Sequence, residues 1–204
     1  PLYSSAASDV YKRQTKRYLL TYARPIAFYV DKDSIYKVNC QATIDEELKD
    51  VQPMTQFTRA MEELAITVIP ANSPQAKGRI ERLFGTFQDR LVKELRLMKI
   101  STIKEANIFL WKKFLPDHNS RFSVEPANSI DAHRPLLKCH SLEEILSLRT
   151  ERTLHNDFTL RFQNKFFQVL KDQPVRVGPG DRIFVEIRLD GSTHLKFKEK
   201  YLNF

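Results

Sequence analysis

Ile80, Leu83, Phe84, Phe87, Leu91 and Leu95 recur at steps of three and four, the most sustained helical period in the chain. A helix with so long an apolar stripe needs a surface to bury it, and the preceding residues supply candidates. Thr15 to Arg24 is short and mixed and reads as the end of a helix that Pro25 breaks. After it, Ile26, Phe28 and Val30 alternate as a strand that delivers Asp31 at its end. Gln56 to Leu64 sets Phe57, Ala60, Met61 and Leu64 on one helical face, and Ile66, Val68 and Ile69 are expected to form a short buried strand closed by Pro70. Strand, helix, strand and helix in that order predict an α/β fold. The long helix begins either at Pro74, with Ser73 as its cap, or after Gly78.

Downstream, Ser101 opens a further helix, TIKEANIFLWKKFL, which Pro116 is expected to stop, with Trp111 and Phe114 as core residues. Asn119 to Leu137 carries Pro126 and Pro135 and is expected to be an extended connection, and Leu142 to Leu148 a short helix. From about Arg152 the period changes to two. Phe158, Leu160 and Phe162 alternate, Asn164-Lys165 turns the chain into Phe166–Leu170, and Ile183, Val185, Ile187 and Leu189 lead through Asp190-Gly191 into Leu195 and Phe197. These strands predict a small all-β barrel. Residues 36–54, with the acidic run IDEELKD, are expected to be an inserted surface segment. The first fourteen residues, PLYSSAASDVYKRQ, show neither period and resemble a translated sequencing-adapter scar, so protein is expected to begin near Thr15 and Asp9 is set aside.

Charge narrows the partners. The chain has 33 Lys and Arg against 25 Asp and Glu, a net charge of +8. That balance favours a polyanion, because each cation placed on a phosphate releases counterions. No apolar run approaches the roughly 18 residues of a spanning helix, so no membrane partner is expected. Cys40 and Cys139 lie far apart, and with His118, His133 and His140 they have no zinc-ligand spacing.

Asp31 and Glu81 are the candidate chemical groups. A strand end is a rigid mount for a carboxylate, and Glu81 falls on the flank of the apolar stripe, beside Lys77 and Gln88. Phosphoryl transfer commonly uses two divalent ions about 4 Å apart, held by oxygen ligands. By spacing alone, Asp31 is equally a turn former and Glu81 an exposed helix partner of Lys77. Asp33 is taken as a turn residue.

The stretch YVDKDSIYKVN, followed by TQFTRAMEELAITVIPANSPQAKGRIERLFGTFQDRLVKELR, resembles the DDE-type integrase-core transposases of bacterial insertion sequences, most closely the ISNCY type. The order of strand-end Asp, Phe-bearing helix, short strand and N-x-P-Q-x-x-G-x-x-E is similar to that of retroviral integrases. The resemblance covers 15 to about 137. It implies an RNase H-like core with Asp31 as the second catalytic carboxylate and Glu81 as the third, together binding two Mg²⁺ (or Mn²⁺) ions in the intact enzyme. The gap from Asp31 to Glu81 is longer than in integrases, and 36–54 can absorb the excess.

The family's first Asp has no counterpart here. The 204 residues are therefore expected to be an inactive, N-terminally truncated fragment of a strand-transfer enzyme. Four segments follow: the scar (1–14), a partial RNase H-like core (15–137), a linker helix (138–152) and the small barrel (153–204). Asn72, Gln75, Lys77, Gly78 and Arg79 are candidate DNA contacts, and His133 receives no catalytic role. The C-terminal strands resemble the barrel that follows the core in Mu-like transposases. Its cations Lys165, Lys171, Arg176, Arg182, Arg188, Lys196, Lys198 and Lys200 suit either DNA or a protomer contact. Expected partners are transposon-end and target DNA and further copies of the chain, in the bacterial cytoplasm at the nucleoid. A nuclease of the same fold and a non-enzymatic DNA-binding module stand as alternatives.

Overall fold

The computed structural model describes residues 5–36 and 54–204, so the inserted segment expected at 36–54 lies almost wholly outside the described residues. The chain is a mixed α/β protein that divides into two compact units, one formed by Pro1–Pro70 with His133–Phe204 and the other by Ala71–Ala132.

The first unit opens with α1 (Ser5–Tyr22), a helix that runs through the boundary expected near Thr15. Its inward face carries Lys12, Thr15 and Leu19, all buried. Two of these three are polar, so the helix has no apolar period to detect. Strand β1 (Ala27–Val30) pairs in parallel with β2 (Thr67–Pro70), and helix α2 (Gln56–Glu63) precedes β2. Thr55 caps α2 by accepting from the Thr58 N–H at 3.1 Å. The face predicted for α2 is the buried one: Phe57, Ala60, Met61 and Leu64 join Leu19, Ile66, Leu142, Ile145 and Leu146 in one cluster.

Two arginines fasten the far end of this unit. The Arg24 and Arg134 backbones exchange hydrogen bonds of 2.9 and 2.7 Å. The buried Arg24 side chain donates to Leu64 O at 2.8 Å and Pro135 O at 3.1 Å, while Arg134 Nη2 donates to Ala65 O. Both cations thus satisfy carbonyls at the C-terminus of α2, where the helix dipole favours them. His133 lies beside them, 2.8 Å from the Tyr18 hydroxyl.

The second unit carries α3 (Pro74–Leu97), which begins at Pro74. A left-handed Lys99 ends it, with Lys99 N–H on Arg96 O and Ile100 N–H on Leu95 O, both at 3.0 Å. Thr102 then caps α4 (Ile103–Phe109). Pro116 does not stop this helix: a π turn (Leu110–Phe114) widens the coil and α5 (Leu115–Phe122) follows. Proline at 116 can donate no backbone hydrogen bond, and a widened turn takes up the missing bond and the ring's bulk. The extra residue also moves Trp111 off the core face. Trp111 is 57% exposed, against expectation, whereas Phe109 and Phe114, five residues apart, are both buried. The α3 stripe is shallower than predicted as well. Leu83, Phe87, Leu91 and Leu95 are half-buried, Ile80 and Phe84 are exposed, and Phe87 packs edge-on to Phe114 at 5.3 Å.

The C-terminal strands return to the first unit. After the short α6 (Leu142–Ile145), β3 (Leu148–Thr153) starts within the stretch read as a linker. It pairs antiparallel with β6 (Arg182–Ile187), then β7 (Thr193–Phe197) and β8 (Lys200–Tyr201) follow in order. Strands β4 (Thr159–Phe162) and β5 (Lys165–Gln168) form a separate hairpin. Its turn is Gln163-Asn164, one residue earlier than predicted, with positive φ at both positions as a type I′ turn requires. Sheet and hairpin enclose a common cluster that includes Leu160, Phe162, Val169, Ile183, Val185, Leu195 and Phe197.

Candidate active site

Asp31 follows the last residue of β1, at the carboxyl end of a parallel strand pair. Open α/β sheets place ligands at such ends. Val30 pairs with Pro70, so β1 and β2 end at the same edge of their sheet, β1 just before Asp31. Asp31 is half-buried, and its Oδ1 accepts the Asp33 N–H at 3.1 Å. Asp33 is the turn residue that its spacing suggested, accepting from Ile35 N–H at 3.0 Å. Burial pushes the Tyr36 hydroxyl up to about 12, with the negative charge of Tyr11, Asp31 and Asp33 adding to it.

Glu81 lies in the second turn of α3 and is exposed, as are Asn72, Gln75 and Arg79; Lys77 and Gly78 are partly covered. A Cβ at Gly78 would meet nothing within 4 Å, so no packing inside the chain demands glycine there. The first turn of α3 carries no acidic side chain. One helix end thus gathers Glu81 with Asn72, Gln75, Lys77, Gly78 and Arg79. Asp31 belongs to the other unit.

Carboxylate oxygen is the donor type that Mg²⁺ and Mn²⁺ prefer, so Asp31 and Glu81 fit such an ion in kind. Two carboxylates are fewer than an octahedral site needs. Among the described residues, no three His, Cys, Asp or Glu side chains are grouped to hold a metal ion.

Sequence patterns did not reveal a buried charge network in the first unit. Glu186, on β6 among apolar neighbours, is fully buried. Arg149 on β3 reaches Glu186 at 3.0 Å, off the geometry of a hydrogen bond, and Glu63 of α2 at 2.6 Å. Gln56 clasps the Arg149 backbone through both amide atoms, at 2.9 and 3.0 Å. Lys196, grouped above with the outward cations, instead pairs with Glu144 and Glu199. A charge midway along an apolar strand, as at Glu186, was the available signal.

Over 195 residues the chain is 35% identical to a putative transposase, y4bF, of Sinorhizobium fredii, a match covering 95% of this chain and 41% of that protein. Over 159 residues it is 31% identical to the transposase for insertion sequence IS1202 of Streptococcus pneumoniae, covering 78% of this chain and 33% of that one. No family model matches. The chain spans less than half the length of these relatives. By sequence, it belongs with the transposases of insertion sequences.

Proposed function

We propose that the chain is part of a DDE-type transposase with an RNase H-like core and a small C-terminal barrel, acting on transposon-end and target DNA. The observation that carries this reading is the placement of Asp31 directly after β1 and of Glu81 on the helix entered from β2. Asp31 and Glu81 hold the metal, as second and third carboxylates of a three-carboxylate site. Bound there, Mg²⁺ or Mn²⁺ supplies Lewis-acid stabilisation of charge at the scissile phosphate. Lys77 and Arg79 contact phosphate and fix the register of the strand, and Gly78 lets backbone approach DNA. The chemistry is nicking by water, then in-line attack by the freed 3′-hydroxyl on target DNA. Positioning of these groups is the protein's main contribution.

The test uses the full-length parent with duplexes carrying its transposon ends. Glu81→Gln and Asp31→Asn are expected to abolish strand joining in Mg²⁺ while leaving DNA affinity within about twofold, since phosphate contacts dominate affinity. The isolated 204-residue chain is expected to join nothing. Joining by that chain, or unimpaired joining by either variant, overturns the reading. Cleavage without joining by the parent would instead identify a nuclease.

A further inference from the structure

We infer that the β4–β5 hairpin is a contact for an unpaired DNA strand, with Phe166 stacking on a base and Arg161 on the adjoining phosphate. This rests on DNA being the partner of the chain, but uses none of the proposed catalytic residues.

Phe166 is 69% exposed on a strand whose opposite face is packed. The register explains why. Leu160 pairs with Phe167 and Phe162 with Lys165 on the inner face, which puts the Arg161–Phe166 pair on the outer one. An apolar ring so exposed adds nothing to the core. The guanidinium of Arg161 lies 5.7 Å from the Phe166 ring centre and donates to Asn164 Oδ1 at 3.2 Å, so the tight turn holds the cation beside the ring. Lys165 is exposed at the same tip. Among the described residues, neither Arg161 nor Lys165 meets a carboxylate. The nearby Asp157 is engaged by Thr159, whose hydroxyl donates to it at 2.6 Å.

Four other cations of the C-terminal strands have partners within the chain. Lys196 is paired with Glu144, Arg182 with Glu151 at 3.2 Å, Arg188 lies 5.5 Å from the Tyr201 ring, and Lys200 donates to Pro174 O at 3.4 Å. An exposed planar ring with a guanidinium held beside it is complementary to a strand of bases and phosphates. A duplex hides the base faces that the ring would use, so an unpaired strand is the better occupant.

The experiment measures fluorescence anisotropy of a labelled single strand of about 20 nucleotides, and of its duplex, with the chain in EDTA. Phe166→Ala and Phe166→Leu are expected to weaken single-strand binding about tenfold and duplex binding less than about twofold, with Phe166→Trp retaining affinity. Arg161→Ala is expected to lower the salt dependence of binding by about one phosphate contact. Unchanged single-strand affinity for the Phe166 variants, or equal loss on both DNAs, overturns the assignment. Neither result bears on strand joining by the parent, so the hairpin and the catalytic reading fail separately.

Discussion

Arg149 shows most plainly what a single residue does in this fold. It faces three carboxylates, and one of them, Glu186, is fully buried. Removing the cation takes away the ion pair of that buried charge and leaves it the Tyr201 hydroxyl, which donates at 3.2 Å. Arg149→Ala is therefore expected to cost about 3–5 kcal/mol, read as a drop in urea midpoint with unchanged slope. A second prediction concerns acid. Burial alone would raise the Glu144 carboxyl, but its hydrogen bond from Lys196, with the charges of Lys196 and Arg149, holds it below the usual range. A carboxyl depressed on folding contributes stability above its unfolded value near about 4.3, and that stability is lost as pH falls through the folded value. Glu144→Gln is expected to flatten the stability profile below about pH 4.5, measured by denaturation at successive pH. Spacing marks Asp31 and Glu81 only as candidates, an acid after an apolar strand and one beside a helical stripe, and their proposed roles come from the resemblance. Glu186 was not legible, because alternation assigns a strand's charges to solvent.

Elements were legible where their signal was local. The face of α2 and the strands flanking it follow from apolar spacing. The start of α3 is open by sequence between Pro74 and the residues after Gly78, and the structure begins it at Pro74. Helix α1 was legible only at its end, from Thr15, and its earlier turns were not, since its buried face carries Lys12 and Thr15 beside Leu19. Nor was the passage of a helix through Pro116, because the π turn that permits it has no composition of its own. The end of α3 offers a test at this scale. Lys99 occupies a left-handed position (φ 54°) that glycine adopts without strain. Lys99→Gly is expected to stabilise the chain by up to about 1 kcal/mol, seen as a higher thermal midpoint.

At the scale of the molecule, the charge balance of +8 conceals two populations. Arg24, Arg134, Arg149 and Lys196 hold the first unit together, while Lys77, Arg79, Arg161 and Lys165 lie at the candidate DNA contacts. Composition counts both alike, so only coordinates separate them. The kinship with insertion-sequence transposases was legible in the sequence, most specifically through the resemblance that the run from Asn72 to Leu95 carries. The account depends on Asp31 and Glu81 gripping one divalent cation. A crystal of the full-length parent soaked in Mn²⁺ tests this most directly, through anomalous scattering at the metal. The account predicts a manganese peak bound directly by oxygens of both side chains. Carboxylates more than about 10 Å apart, beyond what metal–oxygen bonds of about 2.1 Å can bridge, would contradict it.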